Sequence, residues 1–199
     1  MERELLGYHG SDEKYVVSMK KDNFKMRVSK SSFPNDLGIG AYFYLERGEG
    51  EALENVRKYL KKYKKNYETL VGLEVPIVVD EELILDFNIR ESSEIFEEFI
   101  RKNRENIDKE LNKYHEKSRG FLRGNFDGIA MELFLEFLGV DADLIIKDTF
   151  TKFDDEYKRS NFHNGREVCV RNPKIIQLSK IRIAERIERD EEKEKLKCL

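Results

Sequence analysis

Strand-like segments lie at both ends of this chain of 199 residues, and a long charged stretch with helical periodicity separates them. The strand-like segments are rich in branched and aromatic residues, and they cover 4–10, 38–45, 71–79, 83–87, 144–150 and 167–183, the last broken at Asn172-Pro173. Apolar residues recur at three- and four-residue steps in the helix candidates, which cover 48–70, 91–118 and 125–139. Polar loops are expected at 31–37 and 151–166. This order of segments predicts an α+β fold.

Length and composition favour one domain over residues 1–199. Charged residues make up 39% of the chain, well above the roughly one quarter that is typical of globular domains. We therefore expect much solvated helix surface, with a charged helical insertion at about 90–140 and a charged tail at 184–199 that is helical or frayed. The net charge is only −3, from 37 basic and 40 acidic residues, so no global field draws the chain toward nucleic acid or membrane.

The cysteine pattern, and the lack of a visible targeting segment, indicate a cytoplasmic location. The first ten residues, MERELLGYHG, lack the apolar stretch of a signal peptide, and no apolar run approaches the ~20 residues of a membrane span. Cys169 and Cys198 make neither a disulfide framework nor a metal site. We expect a soluble cytoplasmic protein that contacts no membrane and binds no metal; an effector exported without a signal is the alternative.

The first motif with chemical content is Tyr8-His9-Gly10-Ser11, at the end of the first predicted strand. Glycine lets a planar ligand approach the main chain closely, and one N–H with one C=O can pair with an amide group in both directions. Taken alone, His-Gly is a weak signal, because a single histidine is more often a surface or hydrogen-bonded structural residue.

The second motif, Gly38-Ile39-Gly40-Ala41-Tyr42-Phe43, opens a strand. A Gly-x-Gly pair can belong to a dinucleotide-binding loop, but a third glycine and a following helix are then required, and neither is present. The structural alternative is a glycine turn that leads into a buried aromatic strand.

The third motif is Arg166-Glu167-Val168-Cys169-Val170-Arg171, where a glutamate starts an otherwise apolar strand directly after a polar loop. A carboxylate at the mouth of a strand suits a site that stabilises positive charge or holds a hydroxyl group. The structural alternative is a solvated first residue of an edge strand.

In this order, the three motifs resemble the His-Tyr-Glu branch of the ADP-ribosyltransferase superfamily, which includes diphtheria toxin and the poly(ADP-ribose) polymerases. The matching positions are His9-Gly10, then Gly38, Gly40, Tyr42 and Phe43, then Glu167 with Val170. The resemblance covers about 4–60 and 160–183, and nothing in the block 90–155 takes part in it. It implies a split, mostly antiparallel sheet surrounded by helices, with His9, Tyr42 and Glu167 as catalytic residues.

The resemblance also implies that NAD is the substrate and that no metal takes part. Cleavage of the bond between nicotinamide and ribose develops positive charge on the ribose. The Gly10 backbone would pair with the carboxamide, Tyr42 would stack on the nicotinamide ring, His9 would bond a ribose hydroxyl, and Glu167 would bond the 2′-hydroxyl and stabilise the cation. The residues expected to contact NAD are His9, Gly10, Ser11, Gly38, Gly40, Tyr42 and Phe43.

The acceptor of ADP-ribose stays open between protein and nucleic acid. Arginine-specific members of the superfamily carry Glu or Gln two residues before the catalytic glutamate, where this chain has Gly165, so arginine is not the expected acceptor. The loop 159–166 takes the place of target recognition, with Phe162, His163 and Arg166 as its candidates. Aromatic and basic side chains together can stack a base and contact phosphate, and they can equally contact a protein.

We therefore expect an enzyme that transfers ADP-ribose from NAD to a macromolecule and releases nicotinamide. By analogy its role would be that of a toxin or an antiviral (antiphage) effector, and an antitoxin or immunity partner is compatible with that role. Two alternatives are left open. One is an NAD glycohydrolase that uses the same site with water as the acceptor. The other is a non-enzymatic protein, either a helical interaction module or a degenerate NAD-binding module.

Overall fold

Seven strands form one sheet in the computed structural model, which describes residues 1–26, 34–114, 126–153 and 162–189. The strands are β1 (Glu2–Asp12), β2 (Ala41–Leu45), β3 (Leu70–Asp80), β4 (Ile84–Asp86), β5 (Leu144–Thr149), β6 (Gly165–Val170) and β7 (Arg182–Ile187). Their order across the sheet is β4-β5-β6-β2-β1-β3-β7. The pair β4–β5 is parallel and the other pairs are antiparallel. The prediction of an α+β fold with a mostly antiparallel sheet is confirmed.

Five α-helices occur in the described residues, and they are α1 (Val16–Asp22), α2 (Glu51–Tyr63), α3 (Arg90–Lys102), α4 (Arg104–Leu111) and α5 (Asp127–Leu138). The helix predicted at 125–139 is confirmed, and α5 ends where Gly139 adopts a left-handed φ of 61°. The helix predicted at 48–70 is shorter, since α2 stops at Tyr63. None of these helices has the length and apolar character needed to cross a membrane.

Two sequence predictions near the C-terminal end are wrong in part. The stretch after Asn172-Pro173 does not continue as a strand; it forms two short 3₁₀ turns, and β7 begins only at Arg182. Proline lacks an N–H for a strand ladder, and the Asn172 side chain accepts the N–H of Lys174 at 3.1 Å, which favours a turn. The predicted tail at 184–199 begins as part of β7 rather than as a helix. Residues 190–199, and residues 115–125 of the predicted insertion, lie outside the described residues.

The sheet is covered on both faces, and the helices divide between them. One face, which we call the α1 face, buries Phe43 and the alternate residues of β3 beneath Val16 of α1. The opposite face, the α2 face, is covered by α2 over Tyr44 and by α3, α4 and α5 over Ile145 and Cys169. Because side chains alternate between the faces of a strand, the parity of each residue decides which layer it meets.

Candidate active site

The three motifs lie on three neighbouring strands. Glu167 is in β6, Tyr42 is in β2 and His9 is in β1, and these strands are adjacent in the sheet. Tyr44 of β2 lies opposite Glu167 on one side and opposite Tyr8 on the other. Segments that are far apart in the chain therefore converge at the centre of the sheet.

The sheet opens between β1 and β2. β1 pairs with β3 along its whole length, from Glu2 to Asp12, but with β2 it forms the single pair Tyr8↔Tyr44. Beyond that pair the imidazole of His9 takes the place of a ladder bond, since its Nδ1 lies 2.8 Å from the carbonyl oxygen of Tyr42. A gap therefore separates the two strands at the position of the His-Gly motif.

The backbone of Gly10 faces this gap. In an antiparallel pair, the N–H and C=O of one residue point to the same edge, and so do those of the residue two positions away. The Tyr42 carbonyl points toward β1, so the N–H and C=O of Tyr44 also point toward β1. The N–H and C=O of its partner Tyr8 point toward β2. Gly10 then has the same direction as Tyr8. Among the described residues its N–H and C=O have no ladder partner on β2, since Tyr8↔Tyr44 is the one pair between these strands, and the Tyr42 carbonyl contacts the His9 side chain instead.

Packing explains why residue 10 is glycine. A Cβ at Gly10 would lie 2.7 Å from Cγ of Leu60, the buried leucine of α2. We expected the glycine to admit a ligand to the main chain. In the structure it admits α2 to the sheet, and the N–H and C=O of this half-buried residue lie in the plane of the sheet.

His9 does not share a face with Tyr42 and Glu167, which corrects the expectation of one three-residue cluster. Its side chain lies on the α1 face, where its ring is 5.1 Å from Phe24 and 5.5 Å from Phe43. A carbonyl oxygen can only accept, so the Nδ1 that contacts Tyr42 carries the proton and Nε2 of the neutral ring is an acceptor. Burial lowers the pKa of His9, which favours this neutral form.

Acidification is expected to destabilise the fold through His9. Its pKa is lowered in the folded state, so between that pKa and the unfolded value of about 6.5 the unfolded chain binds more protons. The free energy of unfolding should therefore decrease as pH falls below the unfolded pKa. The measurement is urea denaturation across acidic pH together with NMR titration of the imidazole, with His9→Gln as the control. An imidazole resonance of His9 that titrates above pH 6.5 would contradict the burial that the structure gives it.

Tyr42 lies on the α2 face, but its hydroxyl is engaged in a turn. The hydroxyl donates to the carbonyl of Gly38 at 2.8 Å and accepts the N–H of Leu37 at 2.9 Å. Its ring packs at the edge of the cluster beneath α5. The expectation that this ring stacks on nicotinamide stays a prediction, and the structure adds a second role, the closure of the turn that precedes β2.

Gly38 and Gly40 have structural roles in this turn. Gly38 has a φ of 86°, a left-handed conformation that favours glycine, and its N–H donates to Asn35 at 2.8 Å. A Cβ on Gly40 would overlap Sγ of Cys169 and lie 2.5 Å from the carbonyl oxygen of Val170. Glu132 of α5 accepts the N–H of Ile39 at 2.6 Å and pairs with Arg171 at 2.5 Å, which fixes the turn from the side.

Two other expected NAD contacts are enclosed by protein. Phe43 is 2% exposed in the core of the α1 face, and Ser11 is 1% exposed with its hydroxyl donating to the carbonyl of Asp12 at 3.2 Å. Neither side chain is exposed enough in this structure to contact a ligand directly. The ring of Phe43 packs against that of His9.

Glu167 lies on the α2 face among hydroxyl groups. It is the third residue of β6 rather than the first of an edge strand, and it lies opposite Tyr44. The hydroxyl of Thr151 donates to its Oε1 at 3.2 Å. Burial raises the pKa of Glu167, and the charge of Asp36 adds to this, whereas the hydroxyls of Thr151 and Tyr44 oppose it. The carboxylate is thus half-buried and held by hydroxyl donors.

Tyr44 and Thr151 are the functional candidates that the sequence motifs did not identify. Tyr44 could have been found, because it follows Tyr42 by two residues and therefore shares its face. No pattern in the sequence marks Thr151, which reaches Glu167 from the loop after β5. Burial also raises the pKa of Tyr44, so its hydroxyl keeps its proton and can donate.

The residues expected to recognise a target lie at the same end of β6 but differ in what they can do. Phe162 is 84% exposed. His163 is exposed, and its carbonyl accepts from Arg47 at 3.2 Å. Arg166 is engaged with Asp148 at 2.6 Å and 3.1 Å, so its guanidinium already serves an ion pair. Residues 159–161 of the predicted recognition loop lie outside the described residues.

Comparisons with known proteins supply no relative of this chain: no family model, no curated protein and no solved structure matches it. Within the four described ranges, no group of three or more His, Cys, Asp or Glu side chains is placed to hold a metal ion.

Proposed function

We propose that this protein is an NAD-dependent ADP-ribosyltransferase that binds nicotinamide at the gap between β1 and β2. The observation that carries the proposal is the unpaired edge of Gly10, which offers one N–H and one C=O in the middle of a sheet. A primary carboxamide presents the complementary pair of groups, so it can complete the interrupted ladder. Tyr42 and Tyr44 flank this gap on the neighbouring strand.

Glu167 supplies the electrostatic part of the reaction. The bond between C1′ of the ribose and the nicotinamide nitrogen breaks, and its electron pair leaves with nicotinamide. The positive charge left on the ribose is stabilised by the carboxylate, which also accepts a hydrogen bond from the 2′-hydroxyl. The acceptor then bonds to C1′ and releases its proton to water. Thr151 and Tyr44 position the carboxylate for this step.

His9 has a revised role in this proposal. Because its Nδ1 is engaged by Tyr42 and its ring is neutral, it acts as a spacer that keeps β1 and β2 apart and leaves the Gly10 edge free. Its Nε2, an acceptor, is able to take a hydrogen bond from a ribose hydroxyl on the α1 side of the gap.

Turnover of labelled NAD tests the proposal. Purified protein is incubated with NAD that carries its label in the ADP-ribose part, with and without a bacterial lysate. We expect nicotinamide to be released and the label to appear on macromolecules in the lysate. Release with all label in free ADP-ribose would identify the glycohydrolase instead. No release of nicotinamide under any of these conditions would exclude both enzymes and favour a non-enzymatic module.

A further inference from the structure

Lysines and tyrosines are concentrated where α2 ends. From Lys58 to Tyr67 the chain carries five lysines, three tyrosines and no acidic residue. Six of these residues form what we call the tyrosine–lysine strip, namely Tyr59, Tyr63, Tyr67, Lys58, Lys64 and Lys65. The structure adds to the sequence run, because Lys64 brings together Tyr59 of α2 and Tyr67, which lies beyond the turn that follows the end of α2 at Tyr63.

Ring and cation contacts order the strip. The rings of Tyr59 and Tyr63 are 5.3 Å apart. The ammonium group of Lys64 lies between two rings, 5.6 Å from that of Tyr59 and 5.5 Å from that of Tyr67. Tyr63 keeps 43% of its surface exposed. Tyr59 and Tyr67 are half-buried, so Tyr63 presents the exposed ring of the strip, with the ammonium group of Lys62 5.5 Å from its centre.

Among the described residues, the acidic neighbours of the strip also contact other cations. Glu54 is 3.6 Å from Lys58, but it is shared with Arg57, which it contacts at 2.7 Å. Glu68 contacts Lys14 of the neighbouring 3₁₀ turn at 2.9 Å. Counted over the residues that the structure describes, the strip has an excess of positive charge, on a protein whose net charge is −3.

A short segment of chain connects the strip to Glu167. Thr151 donates to the Glu167 carboxylate at 3.2 Å, and the carbonyl of the next residue, Lys152, accepts from the hydroxyl of Tyr63 at 2.6 Å. Phe153 then lies under the ammonium group of Lys58, at 5.9 Å. The three consecutive residues Thr151, Lys152 and Phe153 therefore contact both the candidate catalytic carboxylate and the strip.

We infer that the tyrosine–lysine strip binds a single-stranded polynucleotide, which is the acceptor of ADP-ribose. Lysines around the exposed ring of Tyr63 suit a single strand, because its phosphates need cations and its unpaired bases can stack on an aromatic ring. A duplex hides the faces of its bases, and an acidic peptide uses the charges but not the rings. The role of the polynucleotide as acceptor rests on the proposed transferase activity, whereas its binding to the strip does not require NAD.

Binding is tested without NAD, by the fluorescence anisotropy of labelled oligonucleotides. The probes are RNA and DNA single strands of one sequence, about 12 nucleotides long, which is within known single-strand site sizes, and the DNA duplex of that sequence. We expect both single strands to bind more tightly than the duplex. The tighter of the two identifies the natural ligand as RNA or DNA. Tyr63→Leu should weaken single-strand binding about fivefold or more, whereas Tyr63→Phe, which keeps the ring, should not.

The lysine contribution is read from the dependence on salt. Lys58→Gln/Lys65→Gln should flatten the slope of log affinity against log salt by about 1.4, because each lost phosphate contact on a single strand removes about 0.7. The matched control, Arg101→Gln/Lys109→Gln, removes two exposed charges from α3 and α4 and should change the slope little. Equal slopes for the two double variants, or equal affinity for duplex and single strand, would overturn the inference.

The two proposals fail in distinguishable ways. Binding of single strands by a protein that releases no nicotinamide would remove the transferase proposal and keep the strip as a polynucleotide site. Nicotinamide release with label that protease removes and nuclease does not would keep the transferase and overturn the polynucleotide acceptor. Label that nuclease removes, and that Tyr63→Leu reduces more than Tyr63→Phe, would support both.

Discussion

Replacement of Glu167 with glutamine is expected to lower the rate of nicotinamide release by about 10²–10³-fold while NAD binds almost as well as before. Glutamine keeps the shape of the side chain and an oxygen that can accept from Thr151. It lacks the charge that offsets the developing cation. Because that charge matters mainly in the transition state, the loss should appear in kcat and much less in the affinity for NAD.

The measurement is steady-state release of nicotinamide together with calorimetric titration of NAD. Glu4→Gln is the matched control, because Glu4 is an exposed glutamate of β1, the same strand as Gly10. It should leave kcat close to that of the wild type. If Glu167→Gln releases nicotinamide at the wild-type rate, the carboxylate is not part of the chemistry, and the transferase mechanism given above is wrong.

The pH dependence of turnover should also report on the Glu167 carboxylate. Burial raises the pKa of Glu167 above its ordinary value of 4.5, and the reaction requires the ionised form. Activity should therefore fall with acidification at a higher pH than an exposed glutamate would give. The residual activity of Glu167→Gln should lack this acidic limb.

Local patterns in the sequence were sufficient to predict most elements of the fold. The branched run of β3 and the helical spacing of Ala52, Val56 and Leu60 each report burial on one face, which is a property of neighbouring residues. The prediction failed after Pro173, where apolar residues are buried by turns instead of a strand. There, Ile176 forms only an isolated bridge to Ile77, a tertiary contact that no local periodicity encodes.

The sequence predicted which strands would lie together at the candidate site, but not which face of the sheet each side chain would occupy. His9, Tyr42 and Glu167 do lie on adjacent strands, but strand parity sends His9 to the opposite face, and parity depends on a register that the motifs do not specify. Likewise, the gap between β1 and β2 exists because an imidazole replaces a backbone donor at Tyr42. Such a substitution of side chain for backbone can be seen only when both strands are in place.

Gly128→Ala should destabilise the fold by about 1–3 kcal/mol, although alanine in place of a helical glycine ordinarily adds up to about 1 kcal/mol. Gly128 lies in the first turn of α5, where it is buried against the segment that precedes β2. A Cβ there would overlap the carbonyl oxygen of Asn35 and lie 2.9 Å from that of Pro34. Both are backbone atoms, so either α5 or the segment must move.

The same displacement should affect the site, because this segment leads into the turn whose Leu37 N–H and Gly38 carbonyl hold the Tyr42 hydroxyl. Urea denaturation measures the stability, and the KM for NAD measures the site. The control is Gly48→Ala, since a Cβ at Gly48 would have no atom within 4 Å, and it should raise stability by about 0.4–1 kcal/mol. A Gly128→Ala variant as stable as Gly48→Ala would show that α5 lies farther from Asn35 than in this structure, and that the turn around Tyr42 does not depend on their contact.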